Sequence, residues 1–164
     1  MAASTRKGKR VVVKKFEEDC HEAANMYQRL QRAGARHIVY PIRKLQGECL
    51  VFPFASGQTN CIPHAGSRHF RPYFLALMEA VLDMRRAGVA HKDLAPYNIL
   101  YDRKSQQLRV IDIEARQYKF NHVYNLTPEP ENEHDDVWAV GVIFLMSLVG
   151  RYVSVQTVHS CPPR

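Results

Sequence analysis

The first apolar run in the chain is Val11-Val12-Val13, three β-branched residues that favour a pleated strand. Glu17, Glu18 and Asp19 follow, carboxylates suited to the first turn of a helix. Ala23, Met26, Tyr27 and Leu30 then recur at helical spacing, and Gly34 ends that pattern. The period next changes. Residues 38–42 and 49–54 are rich in strand-forming side chains, with Gln46-Gly47 between them as a turn. Residues 55–67 carry Gly, Ser, Asn and Pro and predict a connector. The clearest amphipathic helix spans residues 73–86, with Phe74, Leu77, Met78, Val81 and Leu82 on its buried face and Gly88 as its stop. Residues 99–101 and 108–113 are short apolar segments around the polar turn 102–107, which predicts a β-hairpin. Residues 115–134 show no sustained period and predict a loop. Residues 136–148 are apolar almost throughout and predict a buried helix. The run 137–149 is too short to span a bilayer, so no membrane partner is expected.

Composition narrows the class. The 164 residues, 46% hydrophobic and 24% charged, suffice for one domain with a sizeable core. The net charge of +7 favours acidic partners. Arg6, Lys7, Lys9 and Arg10 make residues 1–10 a basic tail, which leaves nucleic acid open as a partner without favouring it. Cys20, Cys49, Cys61 and Cys161 form no C-x-x-C pair and read as reduced thiols of a cytoplasmic or nuclear protein. No apolar N-terminal run suggests a signal peptide. The histidines, including His64 and His69, show no zinc spacing. Glu129, Glu131, Glu133, Asp135 and Asp136 read as a solvated acidic face.

The chemistry lies in His91-Lys92-Asp93-Leu94-Ala95-Pro96-Tyr97-Asn98-Ile99-Leu100. A carboxylate and a carboxamide stand five residues apart, between a helical pattern and a short apolar strand. Phosphoryl transfer uses that pairing: the Asp orients an attacking hydroxyl and accepts its proton, and the Asn holds Mg²⁺. The stretch resembles the H-R-D-x-x-x-x-N catalytic loop of the protein-kinase superfamily, with Lys92 where Arg is usual.

Further segments resemble that family in order. Val11-Val12-Val13-Lys14 is similar to its V-A-I-K strand, so Lys14 would hold the phosphates of ATP, with Lys15 a competitor. Glu22 on the following helix would pair with Lys14, and Glu18 is the alternative. Backbone near residues 52–57, at Phe54 and Ala55, would hold the adenine. Asp112, in Val110-Ile111-Asp112-Ile113-Glu114, stands where the family has D-F-G and would bind Mg²⁺ with Asn98. Glu114 replaces the glycine hinge. Thr127-Pro128-Glu129 resembles A-P-E. Asp136-Val137-Trp138-Ala139-Val140-Gly141 resembles the D-V-W-S-x-G run, whose Asp receives hydrogen bonds from the catalytic-loop backbone.

The resemblance implies an α+β, bilobal kinase-like fold over residues 11–150: a reduced small lobe and hinge at 11–57, a partial large lobe at 58–150, and a C-terminal tail at 151–164. No G-x-G-x-x-G precedes Lys14, and the later helices of the large lobe have no counterpart. A minimal or truncated kinase domain is therefore expected, with a protein substrate or a regulatory protein partner. The implied activity is ATP- and Mg²⁺-dependent transfer to a protein hydroxyl, with Asp93 as base. Ala95 stands where serine/threonine kinases carry Lys, and the A-A-R pattern of tyrosine kinases is absent; serine or threonine is favoured over tyrosine. The alternatives are a pseudokinase acting by binding, favoured by the missing glycine-rich hairpin, and a small-molecule kinase, suggested by Asp112-Ile113-Glu114.

Overall fold

Val11, Val12 and Val13 lie in β2 (Arg10–Lys15), an inner strand of a four-stranded antiparallel sheet. The order is β1-β2-β4-β3, with β1 at Ala2–Ser4, β3 at Arg43–Leu45 and β4 at Cys49–Pro53. The computed structural model describes residues 2–4, 10–16, 20–45, 49–113, 135–152 and 159–160. Val12 faces Phe52 and Lys14 faces Leu50 across the β2–β4 ladder. Of residues 1–10, expected as a basic tail, Ala2 pairs with Val12, Ala3 with Val11 and Ser4 with Arg10, while residues 1 and 5–9 lie outside the described residues. Pairing gives backbone donors and acceptors along that edge of β2 partners they would otherwise lack.

The expected strand at 38–42 is also corrected. Pro41 has no N–H to give a ladder, and His37 has a left-handed backbone with φ 61°. The chain instead crosses to the hairpin of β5 (Ile99–Asp102) and β6 (Gln107–Val110). The Val39 N–H donates to the Val110 carbonyl at 3.1 Å, and the Val110 N–H to the His37 carbonyl at 2.6 Å. The strand begins only at Arg43.

Helix α1 (His21–Arg32) buries Ala23, Tyr27 and Leu30, positions that share one face. Helix α2 (Phe70–Arg86) buries Tyr73, Phe74, Ala76, Leu77, Ala80, Val81 and Met84. Met78 and Leu82, expected on that face, are 51% and 49% exposed. Ala76 and Ala80 let neighbouring elements approach closely, which turns the buried face toward them. Val89 N–H bonds the Met84 carbonyl at 2.9 Å around Gly88, whose φ is 63°, closing α2 with the Gly-centred bond that satisfies a late carbonyl. Arg29 of α1 donates to the Ala87 and Gly88 carbonyls, so one helix caps the other.

Asp83 is the charged residue buried in α2. It accepts from the Arg36 N–H at 3.1 Å, Arg36 Nε at 3.0 Å and Arg86 Nη1 at 3.3 Å. The Arg36 side-chain bond, aided by its backbone N–H and the nearby guanidinium charges, holds the Asp83 carboxyl below its ordinary 3.8 against the opposing effect of burial. A depressed folded-state value means that the contribution to stability is complete above about 3.8 and is lost as pH falls through the folded value. Urea unfolding between about pH 2 and pH 6 should show this acid loss in the wild type and a flatter acid limb in Asp83→Asn.

Helix α3 (Asp135–Val149) buries Ala139, Ile143 and Met146. Its Phe144 ring meets Phe70 and Phe74 of α2 at centroid distances of 5.5 and 5.2 Å. Within the expected tail, β7 (Arg151–Tyr152) pairs with β8 (His159–Ser160). The predicted loop at 115–134, the A-P-E-like Thr127-Pro128-Glu129 and the turn at Gln46-Gly47 lie outside the described residues. No helix of the described residues is long and apolar enough to cross a membrane.

Candidate active site

The segment after α2 is shaped by one buried carboxylate. Asp136, at the start of α3, accepts the His91 N–H at 2.7 Å and the Lys92 N–H at 3.1 Å. These bonds hold Lys92 with φ 65°, a left-handed conformation uncommon for a residue with a side chain. His91 is itself buried. Its Nε2 lies 2.8 Å from the Ile111 carbonyl, and its Nδ1 lies 3.4 Å from the Asp93 N–H. A proton on Nε2 satisfies both contacts, because a carbonyl can only accept and an N–H can only donate. The loop is thus fixed from α3 on one side and from the segment after β6 on the other.

Within this frame Asp93 is half-buried and both its carboxylate oxygens are engaged. Tyr97 Oη donates to Oδ1 at 2.5 Å, and Asn98 Nδ2 to Oδ2 at 3.1 Å. Asn98 Nδ2 also donates to the Asp93 carbonyl at 2.8 Å. Pro96–Asn98 form a 3-10 turn begun by Pro96, where the missing N–H costs nothing. The Ile111 N–H bonds the Asn98 carbonyl at 3.0 Å, which brings the residue before Asp112 against the loop.

Asp112 also has a left-handed backbone, with φ 69°. Lys14 Nζ forms an ion pair with its Oδ1 across the sheet-to-hairpin boundary. The next residue, Ile113, is buried and gives its N–H to Tyr27 Oη at 3.2 Å. Burial raises the Tyr27 hydroxyl well above its ordinary value, so it remains protonated. Helix α1 therefore touches the segment that carries Asp112. Glu22 lies in the first turn of α1 and is exposed; Lys15, the competitor of Lys14, is exposed at the end of β2. Glu18 lies outside the described residues.

A cavity of about 310 Å³ opens beside Lys14 and Asp112. Val12, Val39, Phe52, Leu100 and Ile111 make its walls apolar, and Phe54 and Ala55 close one side. Its size falls within the range of small-ligand sites, roughly 300–1,000 Å³. The Phe54 N–H is taken by the Arg10 carbonyl at 3.2 Å, and the Arg10 guanidinium lies 3.6 Å from the Phe54 ring centroid. Among the described residues the Ala55 N–H has no backbone partner. Of the two expected hinge residues, Phe54 has its N–H engaged within the chain.

The structure thus brings Asp93 and Asn98 together in the loop, and Lys14 and Asp112 together in the lining of the apolar cavity. No protein-family model matches the sequence, and no curated protein matches it. Among solved structures the chain is similar to the kinase PK-1 of the Cydia pomonella granulovirus, with a TM-score of 0.73 and 20% identity. The fold is a protein-kinase fold. The match covers 93% of this chain and 66% of that one, so the chain spans less than two thirds of the length of that kinase. Within this kinase fold, the sequence pattern left out Tyr97 and Tyr27. Tyr97 carried no signal beyond its place between Pro96 and Asn98, while Tyr27 was visible only as part of an apolar stripe. No group of three or more His, Cys, Asp or Glu among the described residues is placed to hold a metal ion.

Proposed function

We propose that the chain binds Mg·ATP in this cavity and transfers its γ-phosphoryl group to a hydroxyl of a protein. The single observation that carries this reading is the Lys14–Asp112 ion pair in the lining of an apolar cavity, with the Asp93–Asn98 loop tied to the neighbouring Ile111 by a backbone hydrogen bond. Flat apolar walls suit an adenine ring, and the Ala55 N–H suits one of its ring nitrogens. Lys14 supplies a point charge for the phosphates. Asn98 and Asp112 offer hard oxygen ligands suited to Mg²⁺, which would neutralise charge on the transferring group. Asp93 is the carboxylate that orients the acceptor hydroxyl and takes its proton. Glu22 is the expected carboxylate partner of Lys14. A serine or threonine acceptor is favoured over tyrosine for protein substrates, and the site of action would be cytoplasmic or nuclear.

A second reading is favoured by the Lys14–Asp112 ion pair, which engages the expected phosphate anchor with the expected metal ligand. In that reading the chain is a pseudokinase that regulates another kinase by binding. Calorimetric titration with Mg·ATP, together with transfer of labelled phosphate to casein, separates the two. Saturable binding with transfer supports the enzyme. Binding without transfer to any hydroxyl leaves the binding module, and absence of binding overturns the nucleotide reading.

Lys14→Met should raise the Mg·ATP dissociation constant about tenfold to a hundredfold, the worth of one hydrogen bond to a charged group. Its effect on stability should be small. The Lys14 and Asp112 side chains are 22% and 45% exposed, and ion pairs so placed contribute little to folding. Isothermal calorimetry and urea unfolding measure the two effects separately.

A further inference from the structure

The hydrogen bond between Tyr97 and Asp93 is not explained by folding alone. Tyr97 is 42% exposed, so the residue lies at the surface and not in the core. Even so, Tyr97 Oη donates to Asp93 Oδ1 at 2.5 Å. That is the relation a general base has to the hydroxyl it deprotonates. Among the described residues no other hydroxyl contacts Asp93. The backbone holds Tyr97 there. The Asn98 N–H bonds the Ala95 carbonyl at 2.8 Å, and the Asn60 N–H bonds the Pro96 carbonyl at 2.9 Å, so the turn that carries the ring is tied at both ends. The other oxygen of Asp93 faces Asn98, the candidate metal ligand.

We infer that Tyr97 is an acceptor for the chain's own phosphoryl transfer: the enzyme phosphorylates Tyr97 within the same molecule. This rests on the Mg·ATP reading of the site. In the step, Tyr97 Oη attacks the γ-phosphorus of ATP. The Oη–P bond forms while the bond from phosphorus to the β-bridging oxygen breaks, and ADP leaves. The phenolic proton passes to Asp93 Oδ1. Holding the hydroxyl on the base makes the reaction unimolecular, which removes the cost of gathering a separate acceptor. The product carries a charge of about −1.5 to −2 beside Asp93. That charge repels the phosphates of a second nucleotide, so modified protein binds Mg·ATP more weakly.

The test incubates the full chain with Mg·ATP, with and without casein, and maps phosphate by mass spectrometry. Phosphate on Tyr97 is expected, with a first-order rate unchanged on about tenfold dilution. It should be lost in Tyr97→Phe and in Asp93→Asn. Calorimetry on the modified protein should show an Mg·ATP dissociation constant raised at least about tenfold. Phosphate on casein with Tyr97 unmodified overturns the inference and leaves the kinase reading intact. A Tyr97 rate that rises in proportion to protein concentration overturns transfer within one molecule. Binding of Mg·ATP with no transfer to either acceptor overturns the inference in favour of the binding module. Failure to bind Mg·ATP overturns the kinase reading itself and the inference with it.

Discussion

Replacing Asp93 by Asn is expected to lower phosphoryl transfer about 10²–10⁴-fold, the usual worth of a positioned general base. The affinity for Mg·ATP should change little. The substitution keeps the shape of the side chain while removing its charge and its ability to take a proton. The loop has the means to absorb it. Asn98 Nδ2 keeps its 2.8 Å bond to the Asp93 backbone carbonyl, which the change does not touch. The Tyr97 hydroxyl, now a donor to Oδ1, can rotate to accept from the new amide. A loss of transfer with unchanged nucleotide affinity and unchanged unfolding midpoint therefore isolates chemistry from structure. A parallel collapse of binding would mean that Asp93 serves the nucleotide pocket and not the acceptor. Steady-state rates with labelled ATP, calorimetry and urea unfolding on the same preparation supply the comparison.

Replacing Asp136 by Ala should instead damage the fold. Two backbone donors, His91 N–H and Lys92 N–H, lose their acceptor at a position that is 6% exposed. Each buried donor left unsatisfied costs about 1–3 kcal/mol, so a loss of roughly 2–6 kcal/mol is expected. The left-handed backbone of Lys92 loses the bond that holds it. Asp136→Asn should fall between, since its amide oxygen accepts one N–H while its nitrogen faces the other. Urea unfolding gives the magnitude. Hydrogen exchange at residues 91–93 should quicken in both variants before global unfolding does.

Much of this could be seen in the chain itself. The segment from His91 to Asn98, α3 and the β5–β6 hairpin were readable because their signals are local: fixed spacing, sustained apolarity, a polar turn between two short apolar runs. Asp136 was anticipated through the pattern around it, and the structure places its carboxylate on the predicted backbone. What escaped was long-range or orientational. Nothing in Ala2-Ala3-Ser4 announces a strand; the partner in β2 makes it one. The rotation of α2 was missed because Met78 and Leu82 count as apolar in any period, whereas Ala76 and Ala80 win the interior by being small. The bonds Tyr97 to Asp93 and Tyr27 to Ile113 join side chains that no spacing rule pairs.

One part of the fold limits how the molecule can move. Among the described residues, the segments next to the sheet join the β5–β6 hairpin along two hydrogen-bonded seams. One is the pair of bonds between residues 37–39 and Val110. The other is the reciprocal pair between Gln58 and Tyr101, at 3.1 and 3.0 Å. Gly57 makes the second seam possible: its φ is 130°, and a Cβ there would lie 3.1 Å from the Tyr101 backbone. If both seams stay closed, the sheet can turn against the hairpin only about the line that joins them. The cavity lies beside that line, with residues 39, 55, 57 and 100 in its walls. A swing about this line would carry the Val12 and Phe52 walls of the cavity against its Leu100 wall.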